Sequence, residues 1–432
     1  MQVLFTTVAT KAHFYAQVSL AWALRAAGHE VCVASQPDMV DEIVRAGLAA
    51  VPVGEPFNAD EAMEARDGDT PDEGGEDFVW EAMDLAHLLG EDVAYEDVHG
   101  VLTTYCSLIF PYIYAERTVD ELVDFARWWG PDLVVWDTVT FAGGVAARAC
   151  GAAHARLLFG LDLVGWMRQL HRRHLAGRPV VRQEDPMREW LDPTLERHGS
   201  TFAEDAVTGH WTIDPSPTSL SLPVDHLTLP MRYVPYNGPA VVPHWLRRAP
   251  ERPRVCLTLG LSFREVVGAD RVCVHTLLDA VADLDIEVVA TLNPEQLSPG
   301  TVLPPNVTAV DFVPLNALLP TCSAIVHHGG AGTYHTALAH GVPQIIVSTD
   351  MWDATPRAHR LTQQGAGLHI HDTASASPDH LRAMLTRVLN EPGFHHNATR
   401  LRTETLATPT PAHLVPTLEK LTQHHRPRTE TG

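Results

Sequence analysis

Short apolar runs alternate with longer stretches of helical spacing along most of the chain. Val3, Leu4 and Phe5 lie in a strand candidate from Gln2 to Val8, and Phe14 to Ala27 carries apolar residues on one helical face until Gly28 stops it. Val31 to Ala34 predicts a second strand, Met39 to Ala46 a helix and Val51 to Val53 another strand. Leu102 to Phe110 and Ile113 to Trp129 read as helices broken at Pro111; Pro131 to Asp137 is a strand, Thr140 to Cys150 a helix and Ala155 to Phe159 a strand. The second half repeats the alternation, with strands at Arg254 to Leu259, Glu287 to Thr291, Val307 to Phe312, Ser323 to Val326, Gln344 to Val347 and Leu368 to Ile370. Helical spacing fills Val272 to Ala282, Thr333 to His340, Leu381 to Leu389 and Leu414 to Leu421. Strands that alternate with helices predict α/β architecture: parallel, doubly wound sheets covered by helices.

A chain of 432 residues is long for one core and comfortable for two. The expected organisation is a first domain over 1–230, a linker over 231–250 containing Pro235, Gly238 and Pro243, and a second domain over 251–410. A last helix within 411–432 crosses back to the first domain and ends in a loose tail.

The densest chemistry lies in Ile325 to Asp353. His327 to Gly332 is a glycine-rich turn between a strand and a helix, and Gly341-Val342-Pro343 ends that helix. Unpaired N–H groups and the positive end of the helix dipole favour an anion there, with Gly329, Gly330 and Gly332 admitting a close approach and Thr333 adding a hydroxyl. The glycines alone fit either a phosphate site or an ordinary tight crossover. His328, a donor in the same turn, and Asp353, an acid after the next strand, favour a diphosphate carrying a hydroxylated group. The spacing is neither the dinucleotide fingerprint nor a nucleotide triphosphatase loop.

In the first half, the loop after strand one places His13 at the carboxyl edge of its sheet, where Asp137 also ends a strand. An imidazole there can take a proton from an alcohol while a carboxylate orients it; taken alone, His13 reads first as an ordinary polar loop residue and only second as a base.

His328 to Thr333, Gly341 to Gln344 and Asp353 together resemble the donor motif of nucleotide-sugar glycosyltransferases with two Rossmann-like domains facing across a cleft, the GT-B fold. Phe5 to His13, Arg182 to Gly199 and Leu257 to Ser262 extend the resemblance to actinobacterial transferases that place deoxysugars on macrolide and anthracycline aglycones, the desosaminyltransferase-like group. The resemblance implies an inverting transfer from a dTDP-deoxysugar, an aminodeoxysugar in the finer reading, with His13 as general base and Asp137 as its partner. It places Ser262, His328, Gly329, Gly330, Gly332 and Thr333 at the diphosphate, Phe312 and Val313 at the nucleobase and Asp353 at the sugar. Ala354 stands where many hexose-using relatives have Gln, which favours a sugar short of hydroxyls. Phe159, Trp166 and Met167 are candidates for an apolar acceptor pocket or for core packing. No cofactor or metal is implied. A cytochrome-P450-like auxiliary protein is an implied partner, and a homodimer an alternative to a monomer. The rival readings are a nucleotide-sugar epimerase and a catalytically weak scaffold.

Composition narrows the rest. A net charge of −22 disfavours nonspecific nucleic-acid binding without barring a nucleotide held by local N–H groups. No apolar run reaches the ~20 residues of a membrane span, no secretory leader is evident, and six scattered cysteines fit a reducing cytoplasm. Between Glu55 and Asp97, sixteen acidic residues face one base, Arg66; the segment reads as a solvated insertion or as an acceptor-gating or docking surface. Arg168, His171, Arg172, Arg173, His174 and Arg178 reverse that sign and read as a solvated helix face, or as a contact for phosphate or for acidic groups.

Overall fold

The computed structural model describes residues 1–57, 85–90, 92–259, 274–292, 301–348, 352–371 and 376–426. Two compact units emerge, one built from 1–57, 87–232 and 409–426, the other from 233–408.

The first unit holds a sheet of seven strands: β1 (Gln2–Thr6), β2 (Glu30–Ser35), β3 (Ala49–Pro52), β4 (Leu133–Asp137), β5 (Ala153–Leu157), β6 (Trp211–Asp214) and β7 (Thr228–Pro230). Their order is β3-β2-β1-β4-β5-β6-β7, with every pairing parallel. The second unit holds β8 (Arg254–Thr258), β9 (Glu287–Thr291), β10 (Val307–Val310), β11 (Ala324–His327), β12 (Gln344–Val347) and β13 (Gly367–Ile370). Its order is β10-β9-β8-β11-β12-β13, again all parallel. The doubly wound pattern expected from the alternation is therefore present twice. Strands covered on both faces bury every side chain, which is why β4, β5, β8, β11 and β12 are buried from end to end.

Each sheet order reverses once, between β1 and β4 and between β8 and β11. At such a reversal the connections leave neighbouring strands toward opposite faces and open a crevice at their carboxyl ends. Both candidate sites follow these strands.

The Pro411–His425 helix belongs to the first unit, where Glu419 pairs with His29 at 3.0 Å. The Arg232 N–H donates to the Pro409 carbonyl at 2.7 Å, so the two points at which the chain enters and leaves this unit are hydrogen-bonded to each other.

Three local expectations change. Pro111 does not break the helical run: Tyr95–Thr104 passes into a π turn over Tyr105–Ile109, and Pro111 falls in the first turn of Phe110–Ile113, where its missing N–H is least costly. The break comes at Tyr114, which is extended. Helices Ala354–Gln363 and Pro392–Ala407 and strands β6 and β7 lacked a clear periodic signal. The basic cluster is a solvated face only in part: Arg172 and Arg173 are exposed, whereas Arg168 and His171 are buried. Arg168 makes a two-pronged contact with Asp185 at 2.6 and 2.9 Å and reaches Glu204 at 2.7 and 3.0 Å, while Arg178 lies over the Tyr95 ring. Asp185 also caps Pro186–Arg197 by accepting the Arg188 N–H, which gives the Arg182 to Pro186 segment a structural role.

Gly143, in the helix after β4, shows how closely that helix lies on the sheet. A methyl group there would sit 2.4 Å from Thr6 Oγ1 and 2.5 Å from Trp136 Cβ. Gly143→Ala is expected to lower unfolding stability by about 1–3 kcal/mol through overpacking. Denaturant melts against wild type measure this; equal midpoints would show that the helix can shift at no cost.

Candidate active site

His13 lies in the first turn of the Lys11–Ala26 helix rather than in the loop before it. This directs its ring back over the end of β1 toward β4, where Asp137 is the last residue. His13 Nδ1 is 2.7 Å from Asp137 Oδ2; the two side chains are 20% and 2% exposed. The carboxylate is held by further donors: the Val139 N–H reaches Oδ1 at 3.1 Å and Thr140 Oγ1 reaches Oδ2 at 3.3 Å, with Tyr114 donating to Thr140 behind it. A carboxylate on Nδ1 favours the tautomer with the proton at that nitrogen, leaving the Nε2 lone pair for a substrate proton. The ring also packs on Phe159, 4.3 Å between centroids. These residues, 124 positions apart, meet because β1 and β4 are neighbours.

The other apolar candidates sit deeper. Trp166 and Met167 are 6% and 1% exposed, and the Trp166 indole N–H donates to the Leu88 carbonyl at 2.7 Å. Of the three, Phe159 alone is partly open and touches the His13 ring.

In the second unit β11 ends at His327 and the next helix begins at Ala331, with Gly330 as its N-cap. The first helical N–H groups, at Ala331, Gly332 and Thr333, have no partner within the helix; Tyr334 N–H is the first to bond back, to Gly330. Gly329 takes φ +95°, and a Cβ there would lie 3.3 Å from both Ala354 and Ile346, so two constraints require glycine. His327 braces the turn: its Nδ1 accepts the Gly329 N–H at 3.1 Å, which leaves Nε2 as the donor to Gln344 Oε1 at 2.9 Å.

His328 is half-buried, and desolvation together with the nearby Arg357 guanidinium pulls its pKa down to about 4. At neutral pH it is a neutral hydrogen-bonding group. The positive charge beside the turn belongs to Arg357, which sequence reading missed: it donates to the Gly329 carbonyl at 2.8 Å and pairs with Asp353 at 2.7 Å. The Asp353-to-Arg357 spacing, i to i+4 on a helix that begins at Ala354, was the available signal. Asp353 is buried, Val313 is buried just beyond β10, and Phe312 is 44% exposed. Gly260, Leu261 and Ser262 lie outside the described residues, as does most of the acidic segment.

One further polar cluster, His154, Asp205 and His210, brings three metal-capable atoms within 4.8 Å of one another. Its tautomers argue against an ion. Trp136 Nε1–H donates to His154 Nδ1 at 3.3 Å and the His154 N–H donates to His210 Nδ1 at 3.1 Å, so both Nε2 atoms carry protons toward Asp205, which Arg148 also contacts. The donors converge on one carboxylate, and neither histidine offers an Nε2 lone pair to a cation.

Residues 22–260 match the N-terminal domain of the erythromycin biosynthesis protein CIII-like family and residues 275–421 match its C-terminal domain. An aclacinomycin-T 2-deoxy-L-fucose transferase from Streptomyces galilaeus is 51% identical over 99% of this chain and 97% of its own length. A tylactone mycaminosyltransferase from Streptomyces fradiae is 49% identical over 99% of this chain and 93% of its own. Among solved structures, the glycosyltransferase VinC in complex with dTDP superposes with a TM-score of 0.85 at 43% identity, covering 98% of this chain and all of its own.

Burial also sets an acid limit. His171, His210, His328 and His369 are held near 4 and His327 near 3, against an ordinary 6.5. Between those values the unfolded chain binds more protons, so stability falls as pH drops from about 6.5 toward 4. Asp214, pushed up to about 6 by burial, acts in the opposite sense but is one group against five. The melting temperature is expected to be lower at pH 5 than at pH 7 in calorimetry; an equal or higher value at pH 5 would contradict this balance.

Proposed function

Because the chain belongs to the erythromycin biosynthesis protein CIII-like family of GT-B glycosyltransferases, we propose that it moves a deoxysugar from a dTDP-sugar to a hydroxyl of a macrolide or related polyketide aglycone, with His13 as general base. The observation that carries the reading is the His13–Asp137 contact, which supports a proton acceptor at Nε2 beside a partly open aromatic ring.

Nε2 takes the hydroxyl proton as the acceptor oxygen attacks the anomeric carbon from the face opposite the diphosphate. The new C–O bond forms as the bond to the diphosphate breaks, the configuration inverts and dTDP leaves. Asp137 stabilises the imidazolium that results. Charge developing on the leaving group falls to the N–H groups of Gly330 and of the start of the Ala331–His340 helix, to the Thr333 hydroxyl and to His328, with Gly329, which has no side chain, admitting the close approach. Donors fixed by the fold need little reorganisation as that charge appears. Ser262 completes the proposed diphosphate set, Phe312 and Val313 hold the base, and Asp353 meets sugar hydroxyls.

The donor preference follows from Ala354. A hexose hydroxyl that lost its amide partner would be buried unpaired at a cost of about 1–3 kcal/mol, so a deoxysugar suits this pocket better. An aminodeoxysugar is the finer form of the proposal. Phe159 is the proposed first contact for an apolar aglycone, with Trp166 and Met167 as the more buried members of the proposed acceptor set.

The test is mass spectrometry of products from a panel of dTDP-deoxysugars and macrolide or anthracycline aglycones, with and without a P450-like auxiliary protein. Acceptor-dependent dTDP release with a glycosylated product is expected; acceptor-independent isomerisation of the sugar would indicate an epimerase. His13→Ala should cut turnover by about 10²–10⁴-fold while dTDP affinity stays near wild type. Comparable losses in both would remove the general-base role.

A further inference from the structure

Arg357 touches both ends of the proposed donor site. Its side chain is 4% exposed, its Nη2–H donates to the Gly329 carbonyl at 2.8 Å, and its Nε pairs with Asp353 Oδ2 at 2.7 Å. The guanidinium lies 5.1 Å from the Tyr334 ring centroid, which limits its rotation; the contact with Asp353 is an ion pair, and neither Nε nor Nη1 makes a hydrogen bond among the described residues. The backbone is unusual at one of the groups Arg357 holds and at the residue beside the other. Gly329 is left-handed at φ +95°, and Trp352, immediately before Asp353, is a bulky residue at φ +52°, a conformation that surroundings must enforce.

We propose that Arg357 is a positioning residue of the donor site: through the Gly329 carbonyl it sets the direction of the diphosphate turn, and through Asp353 it sets the acid at the sugar end. The inference rests on the donor-site reading above and adds to it that one planar cation fixes the spacing between the two ends of a bound sugar nucleotide. The planar, multi-donor geometry matters, because a guanidinium spans two acceptors that a single ammonium cannot hold in the same way. Charge matters too. Asp353 is buried, and Arg357 sets a full positive charge 2.7 Å from its carboxylate, so removing the guanidinium takes that charge from beside an acid that lies near a dianionic diphosphate. Burial keeps Arg357 behind the turn, so it acts through the residues it holds.

Calorimetric titration of the full chain with dTDP and with an intact dTDP-deoxysugar, in the absence of acceptor, separates these roles. Arg357→Met is expected to weaken both ligands by at least about tenfold, since it removes the charge and both contacts. Arg357→Lys should bind dTDP to within about threefold of wild type yet lose the preference for intact donor over dTDP, because charge is kept and spacing is not. Asp353→Asn should weaken only the intact donor. In the Arg357→Met, Asp353→Asn double variant dTDP affinity should exceed that of Arg357→Met alone, because the negative charge that faced Arg357 is removed together with it. A purely structural role would lower the melting temperature while leaving both dissociation constants of the folded protein unchanged, and would overturn the proposal. So would an Arg357→Lys protein with the wild-type preference for intact donor. Wild type that binds no dTDP fails before any substitution is made, and overturns the donor-site reading together with this inference.

Discussion

Hydrogen bonding at the ends of parallel strands constrains this protein more than any other interaction. A parallel sheet satisfies its backbone along the strands and leaves the carboxyl ends to the loops. Where strand order reverses, neighbouring loops diverge and leave a crevice lined by backbone donors and by whatever side chains the loops carry. The chain has two such reversals, β1 beside β4 and β8 beside β11. His13 and Asp137 follow the first pair, and the glycine turn follows β11 at the second.

The two positions answer different electrostatic needs. Beside β4 a buried carboxylate must be satisfied, and it receives the Val139 N–H, the Thr140 hydroxyl and the His13 ring, so the imidazole is oriented by the same contacts that make the acid tolerable. Beside β11 the need is reversed: a helix start supplies partial positive charge, and His328, kept neutral by burial and by Arg357, adds hydrogen-bonding capacity without a second full charge. A base therefore arises where acid is buried, and an anion site where backbone donors converge. The family to which the chain belongs uses a donor carrying a diphosphate and an acceptor carrying a hydroxyl, and these local environments match the two requirements.

Much of this was readable from residue order. Parallel strands read as unbroken apolar runs, which is why Glu287–Thr291 and Gln344–Val347 were located without error. The glycine turn was visible because left-handed backbone and close packing at Gly329 demand one residue type. The His13–Asp137 pair was legible once β1 and β4 were taken as sheet neighbours. What escaped depended on contacts distant in sequence. The basic stretch looked solvent-facing because nothing local signals that Asp185 and Glu204 will neutralise Arg168. Arg357 was hidden because Thr355-Pro356 in the first turn of the helix carrying it is a weak helical signal, and because its partner Gly329 lies 28 positions away. The π turn before Pro111 is likewise a tertiary accommodation rather than a propensity.

The most direct test of the account is a crystal structure of the protein with dTDP bound. It predicts diphosphate oxygens within hydrogen-bonding distance of the N–H groups from Gly330 to Thr333, with His328 alongside and Gly329 still left-handed. A diphosphate seated away from the Ala331–His340 helix start would contradict it.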